Sequence, residues 1–167
     1  IDEADSLLFV VDAIDGLLPT DKEIAQSLRK QNKNITLLIN KADNPKLEES
    51  SAEFINLGFK QTIFLSASHN KGFSELRELL SEYDDSEPNQ DSIYDSDSVK
   101  ISIIGRPNAG KSTLVNALIG EDRLVVSSES GTTRDSIDVP LEFKNKKITL
   151  IDTAGMRRKR SIKEETE

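Results

Sequence analysis

A glycine-rich segment at positions 105–112, Gly-Arg-Pro-Asn-Ala-Gly-Lys-Ser, constrains the fold more than any other feature of this chain. It fits the pattern G-x-x-x-x-G-K-[S/T], in which backbone N–H groups curl around phosphate oxygens and the helix that follows adds a favourable dipole. Val99–Ile104, just before it, is predicted to be a buried strand, and a helix is predicted from Lys111 to about Ile119. The segment therefore predicts a phosphate-binding loop within an α/β fold.

Short apolar runs and segments of helical periodicity alternate along the rest of the chain. Buried strands are predicted at Ser6–Asp12, Asn34–Asn40 and Thr62–Ser66. Helices are predicted after Thr20–Glu23, which has capping-box spacing, over Leu47–Leu57 and over Phe73–Leu80. A hairpin is predicted from Ile137–Phe143 and Lys147–Ile151. The expected fold is a three-layer, mostly parallel sheet with one antiparallel hairpin.

Composition excludes several classes of protein. Without cysteine there is no disulfide scaffold, thiolate metal site or cysteine nucleophile, and the single histidine, His69, excludes multi-histidine metal sites. The longest apolar run, Leu7–Val11, is far shorter than the ~20 residues that span a bilayer, so no membrane partner is expected. The chain starts at Ile1 with no signal-peptide pattern, which suggests a piece of a longer protein.

The net charge of −8 comes mostly from one segment. Seven acidic residues and no basic ones lie between Glu82 and Ser98, which is typical of a solvated linker and gives no indication of a DNA partner. The sequence thus predicts two parts, residues 1–82 and 99–167, joined by a linker at 83–98. Arg157–Arg160 is the one basic run, and it fits either a solvated loop or a contact with RNA phosphates.

The phosphate-binding loop supplies the first set of candidate site residues. Lys111 would neutralise the β- and γ-phosphates of a nucleotide, and the Ser112 hydroxyl would ligate Mg²⁺. The predicted nucleotide contacts in this segment are Asn108, Ala109, Gly110, Lys111, Ser112 and Thr113.

Two polar segments downstream complete a predicted phosphate site. Asp152-Thr153-Ala154-Gly155 follows a strand, where Asp152 would hold Mg²⁺ and the Gly155 N–H would contact the γ-phosphate. Gly131–Asp135 is a polar loop whose Thr133 would reach both Mg²⁺ and the γ-phosphate. Each segment alone fits an ordinary turn or loop, so the prediction depends on their combination. The expected catalytic residues are Lys111, Thr133 and Gly155.

A second motif predicts recognition of a base. Asn40-Lys41-Ala42-Asp43 ends a predicted strand, and the Asp43 carboxylate can accept from the N1–H and 2-amino groups of guanine, which adenine lacks. Asn40 would tie this segment to the phosphate loop, and the Lys41 stem would lie along the base. Ser66 and Ala67 follow another strand, and the Ala67 N–H would donate to guanine O6.

These five motifs together are those of a translation-factor-type G domain, a P-loop NTPase fold, in circularly permuted order. Either the chain is a permuted GTPase, or it is cut across two tandem G domains. It resembles the EngA (Der) family of bacterial GTPases, which carry two consecutive G domains. The resemblance lies in the following segments: Glu3–Asp12, Gly16–Asp21, Asn40–Asp43, Gly131–Asp135 and Asp152–Arg160.

The resemblance implies a GTPase that binds GTP and GDP and acts in assembly of the large ribosomal subunit, with its RNA as a partner. It implies a location in the bacterial cytoplasm or in an organelle of bacterial descent. Met156 stands where related enzymes place a water-orienting glutamine, and relatives with a nonpolar residue there use K⁺ held by an asparagine that matches Asn108. Asn108 also fits a simple tight-turn residue, and the chain also fits a nucleotide-binding piece without turnover.

The lengths of the segments predict that the two parts close on each other. The linker extends ~50 Å, compared with ~30–40 Å for the diameter of a domain of this size. Each part alone exposes a sheet edge and an apolar face. We therefore expect one permuted G domain, in which Asn40 and Asp43 face the same nucleotide as Lys111.

Overall fold

A single seven-stranded sheet organises the computed structural model, which describes residues 2–82, 98–120, 125–126, 138–143 and 146–151. Its strands are β1 (Ser6–Asp12), β2 (Asn34–Asn40), β3 (Gln61–Phe64), β4 (Ser98–Ile104), β5 (Val125–Val126), β6 (Val139–Phe143) and β7 (Lys146–Ile151). The helices are α1 (Pro19–Leu28), α2 (Pro45–Ser50), α3 (Phe73–Glu82) and α4 (Lys111–Ile119), and a 3-10 helix at Ser51–Leu57 follows α2.

The strand order β3-β2-β1-β4-β7-β6-β5 joins the two predicted parts of the chain in one sheet. β1 pairs in parallel with β2 on one side and with β4 on the other, and β4 pairs in parallel with β7. β6 and β7 form the expected antiparallel hairpin, and β5, which was not predicted, pairs antiparallel with β6. The predicted fold class, a mostly parallel sheet with permuted element order, is confirmed. The linker expected at 83–98 lies outside the described residues except for Ser98, which begins β4.

Helices cover both faces of the sheet because the central strands are apolar on both. In β1, Leu8 and Val10 pack into a core with α3 and α4, whereas Leu7, Phe9 and Val11 pack into a second core with α1 and the 3-10 helix. A continuous apolar run is what a parallel strand with two buried faces requires. The three layers predicted from the sequence are present.

Helix α1 begins two residues earlier than its capping-box spacing predicts. Pro19 occupies its first turn and Leu18 is the N-cap, whereas the sequence indicated a cap at Thr20. Proline suits the first helical position because its missing N–H would have no helical partner there. Asp21 instead accepts the Leu18 N–H at 3.1 Å and so closes the helix start.

The Leu47–Leu57 segment forms two shorter elements instead of one helix. α2 ends at Ser50, and the 3-10 helix continues to Leu57, with Gly58 following at a φ of 74°. Phe54 and Leu57 of this segment are buried in the core that contains Leu7, Phe9 and Val11, so the segment still covers that face of the sheet. Among the described helices, none is both long and apolar enough to cross a membrane.

Candidate nucleotide-binding site

The three predicted motifs that lie within the described residues meet at the carboxyl ends of the parallel strands. β1 and β2 are in register so that Asp12 pairs with Asn40, and β4 ends at Ile104, opposite Phe9 of β1. The phosphate loop follows β4, the Asn-Lys-Ala-Asp segment ends β2, and the Ser66 loop follows β3. This edge is where open α/β sheets bind their ligands.

The phosphate loop has the backbone geometry that its glycines and asparagine allow. Asn108 and Gly110 have φ values of 65° and 95°, in the left-handed region, and Gly110 caps the N-terminus of α4. Lys111 Nζ donates to the carbonyl oxygens of Gly105 and Arg106, both at 2.7 Å, so its ammonium lies within the loop. Burial lowers the pKa of Lys111, and the nearby Arg106 lowers it further.

Asn40 connects all three loops. Its Nδ2 donates to Ala109 O of the phosphate loop at 2.9 Å, and its Oδ1 accepts the Ala67 N–H at 3.0 Å. The side chain is buried, so losing either bond would leave a polar group without a partner. Asn40 thus ties the Asn40–Asp43 segment to the phosphate loop, which is the contact that the sequence predicted.

This contact explains the glycine at 110. A Cβ built on Gly110 would collide with Asn40 Nδ2, and one built on Gly105 would collide with the carbonyl oxygen of Val10 in β1. Both glycines allow the phosphate loop to approach the other part of the chain. The contact of this loop with phosphate stays a prediction, and it is compatible with the packing of both glycines against β1 and Asn40.

A buried carboxylate links the predicted base-reading and phosphate segments, and the sequence analysis did not identify it as a site residue. Asp12 is fully buried at the end of β1, and its Oδ2 lies 2.5 Å from Lys41 Nζ and 3.7 Å from Arg106 Nη2. Asp12 Oδ1 accepts the N–H of Ile14 at 2.9 Å. Lys41 has a φ of 65°, and its ammonium is directed to Asp12. The one sequence signal was an aspartate that ends an apolar run.

Arg106 is held by carboxylates from the other part of the chain. Its Nη2 lies 2.7 Å from Asp15 Oδ2, and its Nε lies 3.5 Å from Asp21 Oδ2, too far for a good hydrogen bond. Within the described residues, Arg106 Nε and Asp21 Oδ1 are buried with no hydrogen-bond partner. Burial raises the pKa of Asp21, although the Leu18 N–H and Arg106 act in the opposite direction.

Asp43 lies at the open side of the site. Its side chain is 35% exposed, and its Oδ1 lies 3.2 Å from Nδ1 of His69. The Ser66 loop therefore contributes a histidine beside the predicted base reader, which the sequence analysis did not identify. The Ala67 N–H, expected to donate to guanine O6, donates to Asn40. Its contact with a base stays a prediction.

The remaining predicted site residues divide into two groups. Ser112 and Thr113 lie in the first turn of α4, and Asn108 is exposed in the loop. Thr133, Asp152, Gly155, Met156 and Arg157–Arg160 lie outside the described residues. β7 pairs in parallel with β4, the strand that leads into the phosphate loop, and it ends at Ile151. Asp152 is the next residue in the sequence.

A separate cleft of about 600 Å³ opens near the amino ends of β2 and β3. It is lined by residues such as Arg29, Lys33, Phe59, Gln61 and Glu82. None of its lining residues belongs to a predicted motif, and it lies at the opposite edge of the sheet. The candidate site is therefore defined by loop geometry and not by this cleft.

A parallel sheet with a phosphate loop after one strand and an Asn-Lys-x-Asp segment two strands away defines a P-loop NTPase of the G-domain type. A family model described as "Elongation factor Tu GTP binding domain" matches residues 1–86, and one described as "50S ribosome-binding GTPase" matches residues 100–167. Curated relatives named GTPase Der are 47% identical in Staphylococcus carnosus, 48% in Clostridium kluyveri and 46% in Methylacidiphilum infernorum. The chain belongs to the Der (EngA) family of GTPases.

The alignments cover 100%, 100% and 98% of this chain but only 38%, 38% and 35% of those relatives. The chain thus spans about two fifths of their length. Because an alignment keeps residue order, the part of each relative that matches residues 40–43 precedes the part that matches residues 105–112. The order of motifs therefore needs no separate family of permuted GTPases, and the resemblance drawn from the sequence is confirmed. The division at 82 and 99 stays a prediction.

Proposed function

We propose that this chain binds guanine nucleotide in one composite site and belongs to a GTP hydrolase. The observation that carries the proposal is the pair of bonds made by Asn40, at 2.9 Å to Ala109 O and 3.0 Å from the Ala67 N–H. Through these two bonds, the single side chain of Asn40 connects both predicted base-reading segments to the phosphate loop. A nucleotide whose phosphates lie at Lys111 would then present its base to Asp43.

The base end would select guanine through complementary hydrogen-bond donors and acceptors. The carboxylate of Asp43 accepts hydrogen bonds only, which suits the N1–H and 2-amino donors of guanine. Adenine would leave this carboxylate without donors, so ATP would bind poorly. Excess ATP should therefore fail to displace a fluorescent GTP analogue, and efficient displacement would favour an ATP-using P-loop protein instead.

The phosphate end would use Lys111 and the first turn of α4. The Lys111 ammonium, which now contacts two loop carbonyls, would turn to the β- and γ-phosphates. The Ser112 hydroxyl fits the oxygen ligands that Mg²⁺ prefers, with Thr133 and Asp152 as the further proposed ligands. When bound, Mg²⁺ neutralises charge on the phosphate oxygens. Residues Thr133 and Gly155 would contact the γ-phosphate.

Exchanging the base tests this site directly. Asp43→Asn replaces an acceptor by a donor, which should shift preference from GDP to xanthosine diphosphate while phosphate binding persists. Lys111→Ala should weaken binding of both nucleotides by at least about 30-fold, because it leaves phosphate charge unpaired. If nucleotide binding depends on Lys111 but its base preference is unchanged by Asp43→Asn, the Asn40–Asp43 segment and the phosphate loop do not bind the same nucleotide.

We also propose that K⁺ assists hydrolysis through Asn108, since a methionine at 156 cannot orient water. GTP turnover with Mg²⁺ should be faster in KCl than in NaCl, and Asn108→Ala should remove the difference. Asn108→Gly is the matched variant, because glycine keeps the left-handed backbone without the amide. If Asn108→Gly retains the K⁺ effect, the asparagine is only a turn residue. Equal rates in both salts for the unaltered chain would exclude the K⁺ role.

The wider role is proposed from the relatives. A match to a model described as "50S ribosome-binding GTPase" supports action in large-subunit assembly, with ribosomal RNA as a partner. The bacterial relatives support a place in the bacterial cytoplasm or in an organelle of bacterial descent. Co-sedimentation of the intact protein with 50S subunits in the presence of a non-hydrolysable GTP analogue tests this role. If the protein does not sediment with the subunits, the proposed ribosomal role is contradicted.

A further inference from the structure

The single histidine of the chain lies against the carboxylate proposed to read guanine. His69 Nδ1 is 3.2 Å from Asp43 Oδ1, 3.0 Å from Ser66 Oγ and 3.1 Å from Ser68 Oγ. The two serines share a loop with the histidine, whereas Asp43 follows β2. The imidazole therefore joins the two loops that would contact the base.

The backbone of the Ser66–Lys71 loop holds the imidazole in place. The Ser66 N–H donates to Lys71 O at 2.9 Å, the Lys71 N–H donates to Ser66 O at 3.1 Å, and the His69 N–H donates to Ser66 O at 3.2 Å. Lys71 Nζ also donates to the backbone oxygen of Asp43 at 3.4 Å. The loop is closed on itself and contacts Asp43 at two points.

The chemistry of the contact decides the tautomer of His69. An ionised carboxylate only accepts hydrogen bonds, so Nδ1 must carry a proton for its approach to Asp43 to be favourable. The hydroxyls of Ser66 and Ser68, 3.4 Å apart, can bond to each other and accept from the same N–H. The resulting arrangement points an N–H donor at one oxygen of Asp43 and leaves the other oxygen free of this contact.

Exposure of the pair indicates that it contributes to orientation and not to folding. The side chains of His69 and Asp43 are 66% and 35% exposed. Exposed ion pairs add little to stability because water competes for both groups. A base that donates to both carboxylate oxygens at once can do so, however, only when the carboxylate is rotated to face both donors.

We propose that His69 is a positioning residue for guanine selectivity. Its Nδ1–H holds the Asp43 carboxylate in the rotation that presents both oxygens to the N1–H and 2-amino groups of guanine. This inference rests on the proposed function of Asp43. It assigns His69 an effect on discrimination between bases, beyond any effect on stability.

Affinities for GDP and inosine diphosphate test the proposal, because inosine lacks only the 2-amino group. Asparagine at position 69 places its amide Nδ2 near the position of Nδ1, whereas glutamine carries its amide to the position of Nε2. His69→Ala and His69→Gln should weaken GDP binding about two- to fivefold and reduce the GDP:IDP affinity ratio by a similar factor. His69→Asn should keep the ratio. An unchanged ratio in His69→Ala, or equal ratios for Asn and Gln, would overturn the proposal.

Asp43→Ala separates this inference from the proposed function. If the unaltered chain prefers GDP, Asp43→Ala should abolish the preference, and adding His69→Ala should cause no further loss. If Asp43→Ala abolishes the preference but His69→Ala leaves it unchanged, only the role of His69 is wrong. If the unaltered chain shows no preference for GDP over IDP, both are wrong. Thermal unfolding of the variants checks that each one folds.

Discussion

At the scale of single residues, Asn40 is the side chain on which most of the site depends. It satisfies a buried carbonyl in one loop and a buried N–H in another, so Asn40→Ala leaves two polar groups unpaired, each costing about 1–3 kcal/mol. We expect lower stability and a loss of GDP affinity together. Asn40→Asp should be no milder, because its carboxylate accepts from Ala67 but meets the Ala109 oxygen without a donor. Denaturant unfolding and GDP titration of both variants check this. A milder Asp variant would contradict the assigned bonds.

Asp21 gives a pH dependence whose sign can be worked out. Burial raises the folded-state pKa of Asp21 above its ordinary value of 3.8, so the folded state takes up the proton more readily than the unfolded state. Its contribution to the free energy of unfolding therefore falls as pH rises from 3.8 through the raised folded value. Compared with Asp21→Asn, the unaltered chain should gain stability on acidification through that window. Urea unfolding of both proteins at a series of pH values measures the difference, and a flat or opposite trend would refute it.

At the scale of elements, the phosphate loop and the start of α4 can be tested at one glycine. Gly110→Ala forces a side chain into the left-handed region at a φ of 95° and against Asn40. Gly58→Ala is the matched control, since its φ of 74° imposes the strain but its Cβ meets only Arg29 Nη1 at 4.0 Å. The control should lose about 1–2 kcal/mol of stability. Gly110→Ala should lose more, and it should also weaken GDP binding. Equal losses of stability in the two variants would show that the Asn40 side chain can move away from the new methyl group without a measurable cost in free energy.

Elements were predictable from the sequence wherever local pattern decides them. The β1 run is apolar at every position that two covered faces require, and Gly105–Ser112 carries its own turn chemistry. The 3-10 helix was missed because helical periodicity does not separate 3.6 from 3.0 residues per turn in a short segment. The start of α1 was misplaced because Pro19 competes with Thr20 for the boundary.

The contacts of Arg106 and His69 could not be predicted, for a different reason. Arg106 meets Asp15 across 91 positions of sequence, so the contact exists only once β1 and β4 are paired. The spacing of apolar residues along the sequence gives no information about which distant side chain Arg106 will contact. Asn40, Asp43 and Lys111 could be predicted as site residues because their motifs carry recognisable chemistry. Charged side chains that only support those motifs have no such pattern.

At the scale of the whole molecule, the β1–β4 pairing makes the two parts of the chain one unfolding unit. Ile101 of β4 is fully buried in the core shared with β1, β2 and α3, so the cost of a smaller side chain should spread across both parts. Ile101→Val should lower the free energy of unfolding by about 0.5–1.5 kcal/mol. Amide hydrogen exchange should show the same decrease for β2 as for β4, because both exchange through one global opening. A decrease confined to β4 would mean that the parts open independently, and the composite site would then lack a common scaffold.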